Sequence, residues 1–181
     1  MQKPVPQPGV QFASAKRRLL SMIYDGLLLA AVLFIAMAIF IPIAESAGIE
    51  RGHPLFKVYF LLVCFLFYAG FWTHGGQTLG MKTWKIKLVH ENGQPISWGQ
   101  ALLRYMTALP AWLVILVGAT TLLLDSPLQL PKTINWINRL PDGLLLGIGL
   151  LMLYFDQRPN NWRDRFSHTQ IIQISYSSNA S

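Results

Sequence analysis

The sequence predicts an α-helical integral membrane protein with four transmembrane helices and a small β-sheet outside the membrane. The first observation is composition: 52% of the 181 residues are hydrophobic and 13% are charged, whereas soluble domains average about 25% charged residues. The second is that four long apolar stretches follow one another along the chain. The third is that short segments outside these stretches alternate apolar and polar residues.

Each apolar stretch is assigned to one transmembrane span. A helix needs about 20 apolar residues, with a range of about 17 to 25, to cross the hydrocarbon core of a bilayer. The first three stretches meet this length, and the fourth meets it only if it continues to Gln157. The predicted spans are 19–43, 55–73, 101–124 and 141–157.

Basic residues are distributed unequally around the four spans. Eleven of the fifteen Lys and Arg residues flank the side that bears both chain ends. Because Lys and Arg are retained on the cytoplasmic side, we expect both termini in the cytoplasm. The expected location is the bacterial inner membrane. This topology, with attraction to anionic lipid headgroups, explains the net charge of +7. The charge therefore implies the lipid bilayer as a partner and no nucleic acid.

Three short segments have the alternation typical of β-strands. Segments 85–89 and 94–97 flank the turn dipeptide Asn92-Gly93, which is a strong hairpin signal. Segment 169–174 lies on the same side of the membrane by the predicted topology. A lone hairpin is marginal in water, so we expect a three-stranded cytoplasmic sheet. The alternative is that these segments are interfacial coils.

The predicted domain organisation is simple. Residues 1–14, with three prolines and no apolar period, are expected to form a flexible cytoplasmic tail. Residues 15–176 form one membrane domain, and residues 177–181 form a second tail.

Asp25 is the charged residue of the first span. A carboxylate at membrane depth costs about 2.5 to 3.5 kcal/mol and usually faces a partner or a water-filled cavity. Arg18 and Ser21 precede Asp25 by seven and four residues, so all three lie on one helix face, which we expect to face the bundle. Arg104, at a comparable depth in the third span, is the expected donor to Asp25. Two interpretations stay open: a structural lock between helices, and a titrating or cation-binding carboxylate.

Motifs of catalysis and cofactor binding are not found in the sequence. It has no Ser/His/Asp or Cys/His arrangement and no metal-ligand spacing, and its single cysteine permits no intrachain disulfide. The glycine-rich segment 75–80 lacks the lysine of a phosphate-binding loop and is interpreted as a turn where the chain leaves the bilayer. We therefore expect no enzyme activity, no cofactor and no metal.

Three blocks of the sequence resemble the RDD family of membrane proteins, named for one arginine and two aspartates. "RRLLSMIYDG" places the arginine at Arg18 and the first aspartate at Asp25. "GGQTLGMKTWKIKLVHENGQPISWGQALLRY" resembles the middle segment, and "FDQRPNNWRDRFSHTQIIQI" the end. The resemblance places the second aspartate at Asp164, with Asp156 as the alternative. Arg163 stands where the family often has histidine.

Two functions follow as expectations. The resemblance implies membrane transport, because the family is associated with transport and some members with sodium/proton exchange. The first expected function is therefore a transporter of a proton or a monovalent cation. In it Asp25 is the intramembrane carboxylate, and Arg18, Arg104 and Asp164 form a cytoplasmic gate, with Arg18 and Asp164 paired. The second function is a scaffold or accessory subunit whose polar residues only lock helices. For both, the segment "GLLLG" at 143–147 resembles a close helix-packing motif and predicts homo-oligomers through Gly143 and Gly147.

Overall fold

A computed structural model of the protein describes residues 11–50, 52–123, 141, 143–158 and 161–174. Residues 1–10 of the predicted tail 1–14 and the whole predicted tail 177–181 lie outside the described residues. The segment that joins the third and fourth predicted spans lies outside them too. The elements are, in chain order, β1 (Gln11–Phe12), α1 (Ala15–Ser46), α2 (Pro54–Gly75), α3 (Leu79–Thr83), β2 (Ile86–His90), α4 (Trp98–Leu123), α5 (Leu144–Asp156), α6 (Trp162–Phe166) and β3 (Thr169–Gln173).

Among the described residues, three helices are long and apolar enough to cross a membrane: α1, α2 and residues 98–120 of α4. The fourth predicted span coincides with α5, an apolar helix of 13 residues. At 1.5 Å per residue α5 rises about 20 Å, less than the roughly 30 Å of a bilayer core. The described residues therefore give three candidate spans and one shorter apolar helix.

Local capping interactions determine where α2 begins and ends. Pro54 is its first residue, a position where the missing N–H costs nothing, and the His53 side chain accepts a hydrogen bond from the Leu55 N–H. At its other end Gly76 adopts the left-handed conformation (φ 70°). A β-carbon on Gly76 would collide with the Leu88 carbonyl oxygen. Only glycine therefore fits this close approach of helix end to strand.

The sheet has three antiparallel strands in the order β1-β3-β2. The last strand of the chain is central: Phe12 of β1 and Lys87 of β2 both lie opposite Ile172. A three-stranded sheet is thus confirmed, including the predicted segments 85–89 and 169–174.

The predicted strand 94–97 is wrong. The Asn92-Gly93 turn forms, with the Gly93 N–H donating to the His90 carbonyl at 2.8 Å, but the chain then enters α4. Pro95 has no N–H for a strand ladder, and Ser97 instead exchanges hydrogen bonds with Gln100 at the start of α4. The third strand is β1, from the segment expected to be a flexible tail.

A hydrophobic core joins the sheet to the helices. Ile86 and Leu88 of β2 are fully buried and pack with residues from both ends of the described chain. The other buried members are Ala13, Ala69, Trp72, Met81, Ile96 and Ala101. The start of α1, the end of α2 and the start of α4 therefore converge on the sheet, and we call this region the sheet end of the bundle.

Glycines bring α4 and α5 into close contact, although not the predicted ones. A β-carbon at Gly118 would collide with the Leu146 backbone, and one at Gly149 would lie 2.6 Å from Cγ1 of Ile115. Gly143 and Gly147 have no atom within 4 Å of such a β-carbon. The packing contacts within the chain thus use Gly118 and Gly149. The homo-oligomer through Gly143 and Gly147 stays a prediction.

Candidate functional site

Asp164 of α6 bridges two arginines at the sheet end of the bundle. Its Oδ2 accepts a hydrogen bond from Nη1 of Arg18 at 2.9 Å, and its Oδ1 accepts one from Nη1 of Arg104 at 2.7 Å. All three side chains are almost completely buried. The predicted Arg18–Asp164 pair is therefore confirmed, and one carboxylate ties α1 to α4.

The rest of the Arg18 guanidinium holds the strands next to α1. Its Nε donates to the Ala13 carbonyl and its Nη2 to the Ile171 carbonyl, both at 3.3 Å. The Ala13 N–H in turn donates to the Ile171 carbonyl at 3.0 Å. Since an arginine presents five donors in a fixed fork, Arg18 can join the residue after β1, strand β3 and helix α6 at once.

Arg104 lies near the start of α4 and has two further contacts. Its Nη1 also donates to Oγ1 of Thr169 at 2.8 Å, and its guanidinium carbon lies 5.9 Å from the centre of the Trp72 ring, within the range of a cation–π contact. Thr169 Oγ1 is in turn 2.7 Å from Oγ of Ser167. Arg104 therefore links α4 to α2 and to the first residue of β3.

A second ion pair supports the helix that presents Asp164. Arg163 of α6 pairs with Asp156 at the end of α5. Asn161, which precedes α6, donates to Asp156 and accepts the Asp164 N–H at 2.7 Å. Among the atoms that the structure describes, Nε of Arg163 is a buried donor without a hydrogen-bond partner. Asp156, the alternative second aspartate, thus lies in the same region with a different arginine.

Burial and charge oppose each other at Asp164. Burial alone raises the pKa of a carboxyl, but the guanidinium groups of Arg104 and Arg18 outweigh it, so the pKa of Asp164 lies below its ordinary value. Burial, with repulsion from Arg104, lowers the pKa of Arg163. Arginine nevertheless stays protonated in proteins. The network is therefore a set of fixed charges around an ionised Asp164.

Asp25 lies in a different environment, bonded to the segment before α3. Its Oδ2 accepts a hydrogen bond from the Thr78 hydroxyl at 2.5 Å, and its Oδ1 accepts the Gly80 N–H at 2.8 Å. The side chain is 3% exposed, and Arg18 and Ser21 are buried on the same helix face, whereas Leu27 is 70% exposed. Asp25 therefore faces the interior, as predicted.

The predicted Arg104 donor to Asp25 is wrong. Arg104 binds Asp164 and Thr169 instead, because α6 and β3 bring these acceptors to the start of α4. Both hydrogen bonds that Asp25 receives within the described residues come from neutral groups. The four predicted site residues thus form two units: Arg18, Arg104 and Asp164 in one, and Asp25 with Thr78 and Gly80 in the other.

Glycine at position 80 permits the contact between α1 and α3. A β-carbon there would collide with the Ser21 carbonyl oxygen and lie 2.9 Å from the carboxyl carbon of Asp25. Thr78 also accepts the Met81 N–H at 3.1 Å, so the same hydroxyl caps α3 and donates to Asp25. The segment interpreted as a simple turn is therefore part of the Asp25 site.

Sequence reasoning missed several residues of these two units. Thr78 had a local signal, since threonine is favoured immediately before a helix, but a five-residue helix gives little periodicity. Asn161 had the same signal before α6. Thr169 binds Arg104, which lies 65 residues away in the chain. Arg163 meets Asp156 only because of the course of the chain from α5 to α6. Spacing along the chain does not reveal such contacts.

The sequence profile of the RDD family matches residues 12–168. The chain is a member of the RDD family. The matched interval includes both units of the site, from β1 to the residue before β3. No curated protein and no solved structure matched the chain.

The two units of this RDD protein differ in their chemistry. The Arg18–Asp164–Arg104 unit has its charges paired at short distance, which makes it suited to holding elements together. Asp25 is a carboxylate inside a candidate membrane span that is held by a hydroxyl and an amide N–H. Among the described residues, no group of three or more His, Cys, Asp and Glu side chains has the arrangement of a metal site. Asp25 is thus a buried carboxylate whose hydrogen bonds among the described residues come from uncharged donors.

Proposed function

We propose that this RDD protein is a small membrane transporter in which Asp25 binds a proton or a monovalent cation. The observation that supports it is the environment of Asp25: a carboxylate buried in α1 with neutral donors. Charged residues inside membrane spans are rare and most often serve ion pathways or proton relays. An arginine partner would bring a counter-charge that holds the carboxylate in its ionised form, whereas the Thr78 hydroxyl and the Gly80 N–H bring no counter-charge.

The partners of Asp25 accommodate both protonation states. An ionised carboxylate has about four lone-pair positions, and Thr78 and Gly80 occupy two. When Asp25 is protonated, it becomes a donor, and the Thr78 hydroxyl, which is both donor and acceptor, can rotate to accept from it. The Gly80 N–H needs no change. A cation would instead bind to the remaining lone pairs.

In the proposal, the Arg18–Asp164–Arg104 unit forms a gate at the sheet end. It joins α1, α4 and α6 through a single carboxylate, so its opening would separate the first and third candidate spans. The complete proposal includes four spans, with both termini in the cytoplasm of a bacterial inner membrane. Eleven of the fifteen basic residues on the side of the chain ends support this orientation. A reporter fused after Ser181 tests it, because a periplasmic signal would contradict it.

A second candidate is a scaffold or accessory subunit without transport. The pairing of both Asp164 oxygens with arginines favours it, because removing one partner of a buried ion pair is strongly destabilising. In this case Asp25 joins α1 to α3 and never changes its charge. The two candidates differ in what happens when the charge of Asp25 is removed.

A flux assay in liposomes separates the two candidates. Purified protein is reconstituted, and the dissipation of a proton gradient is measured after addition of Na⁺ or K⁺. Asp25→Asn keeps two hydrogen-bond positions but cannot exchange a proton, so it should abolish the flux of the wild type. Glu50→Gln, at an exposed carboxylate after α1, is the matched control and should leave the flux unchanged.

The fold of each variant is checked by its thermal unfolding midpoint in the same detergent. Loss of flux in Asp25→Asn with an unchanged midpoint supports transport. Wild-type protein that gives no flux above empty liposomes, or an Asp25→Asn variant with full flux, contradicts the proposal. The absence of any flux in the wild type favours the scaffold.

A further inference from the structure

A groove between α2 and α3 has a lining that changes from apolar to polar along its length. Its volume is about 490 Å³, within the roughly 300 to 1,000 Å³ of small-molecule sites. The apolar part lies on the second half of α2, and the polar part at its end and on α3. The side chains that define the two parts are Leu66, Phe67 and Phe71, and His74, Gln77 and Lys82.

The length of the groove corresponds to one leaflet of a bilayer. From Leu66 to Gly75 the helix rises about 14 Å at 1.5 Å per residue. Half of a bilayer core is about 15 Å thick. Because α2 is a candidate span, the apolar part of the groove lies at the depth of acyl chains. The polar part lies where the helix leaves the hydrocarbon.

Glycines keep the wall of the groove open. Gly70 and Gly75 both line the groove. A β-carbon added to either residue would have no neighbouring atom within 4 Å. The Phe67 and Phe71 rings stand beside Gly70 and pack edge to face with each other at 5.3 Å. Gly70 therefore leaves an open apolar depression on the surface of α2, next to the two aromatic residues.

The polar end of the groove has free positive charge. Lys82 is exposed, and within the described part of the chain its ammonium group has no hydrogen-bond or ion-pair partner. Lys87 extends over Gly76, where its Cε lies 3.1 Å from the position of a β-carbon. Gln77 donates its amide N–H to the Ile86 carbonyl at 2.7 Å, which fixes the adjacent wall. This end of the groove is complementary to a negatively charged headgroup.

We propose that the α2–α3 groove binds one acidic phospholipid. One acyl chain lies along Leu66, Gly70 and Phe71, and the phosphate lies next to Lys82. The apolar part excludes a soluble anion as the full occupant, because such an anion would leave this surface unfilled. The charge distinguishes an acidic lipid from a zwitterionic one. The proposal does not depend on transport or on which side of the membrane the sheet occupies.

Native mass spectrometry of the full chain in detergent tests the proposal. The protein is titrated with phosphatidylglycerol and, separately, with phosphatidylcholine, and the affinity of the first bound lipid is compared. The wild type should prefer phosphatidylglycerol. A basic residue near an anionic headgroup is worth about a fivefold change in affinity, so Lys82→Gln should weaken phosphatidylglycerol by about that factor. Lys57→Gln, an exposed lysine at the opposite end of α2, is the matched control and should leave it unchanged.

A second variant tests the apolar part. Gly70→Leu fills the depression at Gly70 and should weaken both lipids without changing the surface charge. The unfolding midpoint without added lipid confirms that each variant is folded. Equal affinity of the wild type for the two lipids, or equal affinity of Lys82→Gln and wild type for phosphatidylglycerol, overturns the proposal. Inorganic phosphate that displaces phosphatidylglycerol at millimolar concentration also overturns it, because the site would then recognise a free anion.

Discussion

Nη1 of Arg18 lies 2.9 Å from Oδ2 of Asp164, although the two residues are 146 positions apart in the chain. The other oxygen of the same carboxylate binds Arg104. A single buried anion thus holds the start of the first helix, the start of α4 and the end of the described chain together. The stability of the sheet end should therefore depend on this carboxylate more than on any exposed charge.

Replacing Asp164 should destabilise the protein strongly. Asp164→Asn keeps the shape but leaves two buried arginines without a counter-charge, and breaking a buried pair in this way costs about 3 to 5 kcal/mol. The measurement is the unfolding free energy in detergent. Glu91→Gln is the control, because the partly exposed Glu91 pairs with the exposed His168 at 3.6 Å. That change should cost less than about 1 kcal/mol. Equal losses in the two variants would contradict the account.

The contribution of Asp164 should disappear in acid. Its pKa in the folded protein lies below the ordinary value because of Arg104 and Arg18, so the folded state binds its proton less readily than the unfolded state. The stabilisation is then complete above about pH 4, the ordinary range of an aspartate, and is lost as the pH falls through the folded pKa. The unfolding midpoints of wild type and Asp164→Asn should converge below pH 4. A difference that stays constant or grows in acid is the opposite result.

Two glycines lie near Asp25, and alanine should destabilise the protein at Gly80 but not at Gly26. Gly80→Ala places a methyl group against the Ser21 carbonyl and the Asp25 carboxyl group, and such overpacking costs about 1 to 3 kcal/mol. Gly26→Ala meets no atom within 4 Å and should be neutral or stabilising by up to about 1 kcal/mol, since alanine favours helix. Thermal unfolding of both variants gives the comparison. A stable Gly80→Ala variant would show that α1 and α3 are not in close contact.

A second pair of glycines tests the packing of α5. Gly149→Ala should destabilise the protein by about 1 to 3 kcal/mol, because its methyl group would lie 2.6 Å from Ile115 Cγ1. Gly147→Ala faces open space and should change the monomer little. The two variants are compared by unfolding in detergent, and their mass is determined by light scattering. If Gly147→Ala is the more destabilised variant, the assignment of the packing face is wrong.

The sequence predicted the parts of the fold that depend on composition and local pattern. Long apolar runs predicted α1, α2 and α4, and alternation predicted the strands at 85–89 and 169–174. The predicted strand at 94–97 was wrong because the alternation of apolar and polar residues was the only criterion. Pro95 lacks an N–H for a strand ladder, and Ser97 immediately precedes α4. Gln11–Phe12 was missed because a two-residue strand has no period of its own and is defined by β3.

The same limit applies to the candidate site. The buried face of Arg18, Ser21 and Asp25 followed from helical spacing, and the Arg18–Asp164 pair from charge and position. The donor to Asp25 was not predicted correctly. Arg104 was expected because it lies at a comparable depth in the membrane, but in the fold it binds Asp164. Thr78 and Gly80 reach Asp25 only because α3 returns to α1, and this return depends on tertiary contacts.

In the proton-coupled form of the proposed transporter, Asp25 changes its protonation state while the arginine-paired Asp164 does not. Infrared difference spectroscopy of the reconstituted protein measures it directly, because a protonated carboxyl group absorbs apart from a carboxylate. Over the pH range in which flux is observed, the wild type should gain a protonated-carboxyl band that is missing in Asp25→Asn and retained in Glu50→Gln. A band that is unchanged in Asp25→Asn, or no band in the wild type, would contradict the claim.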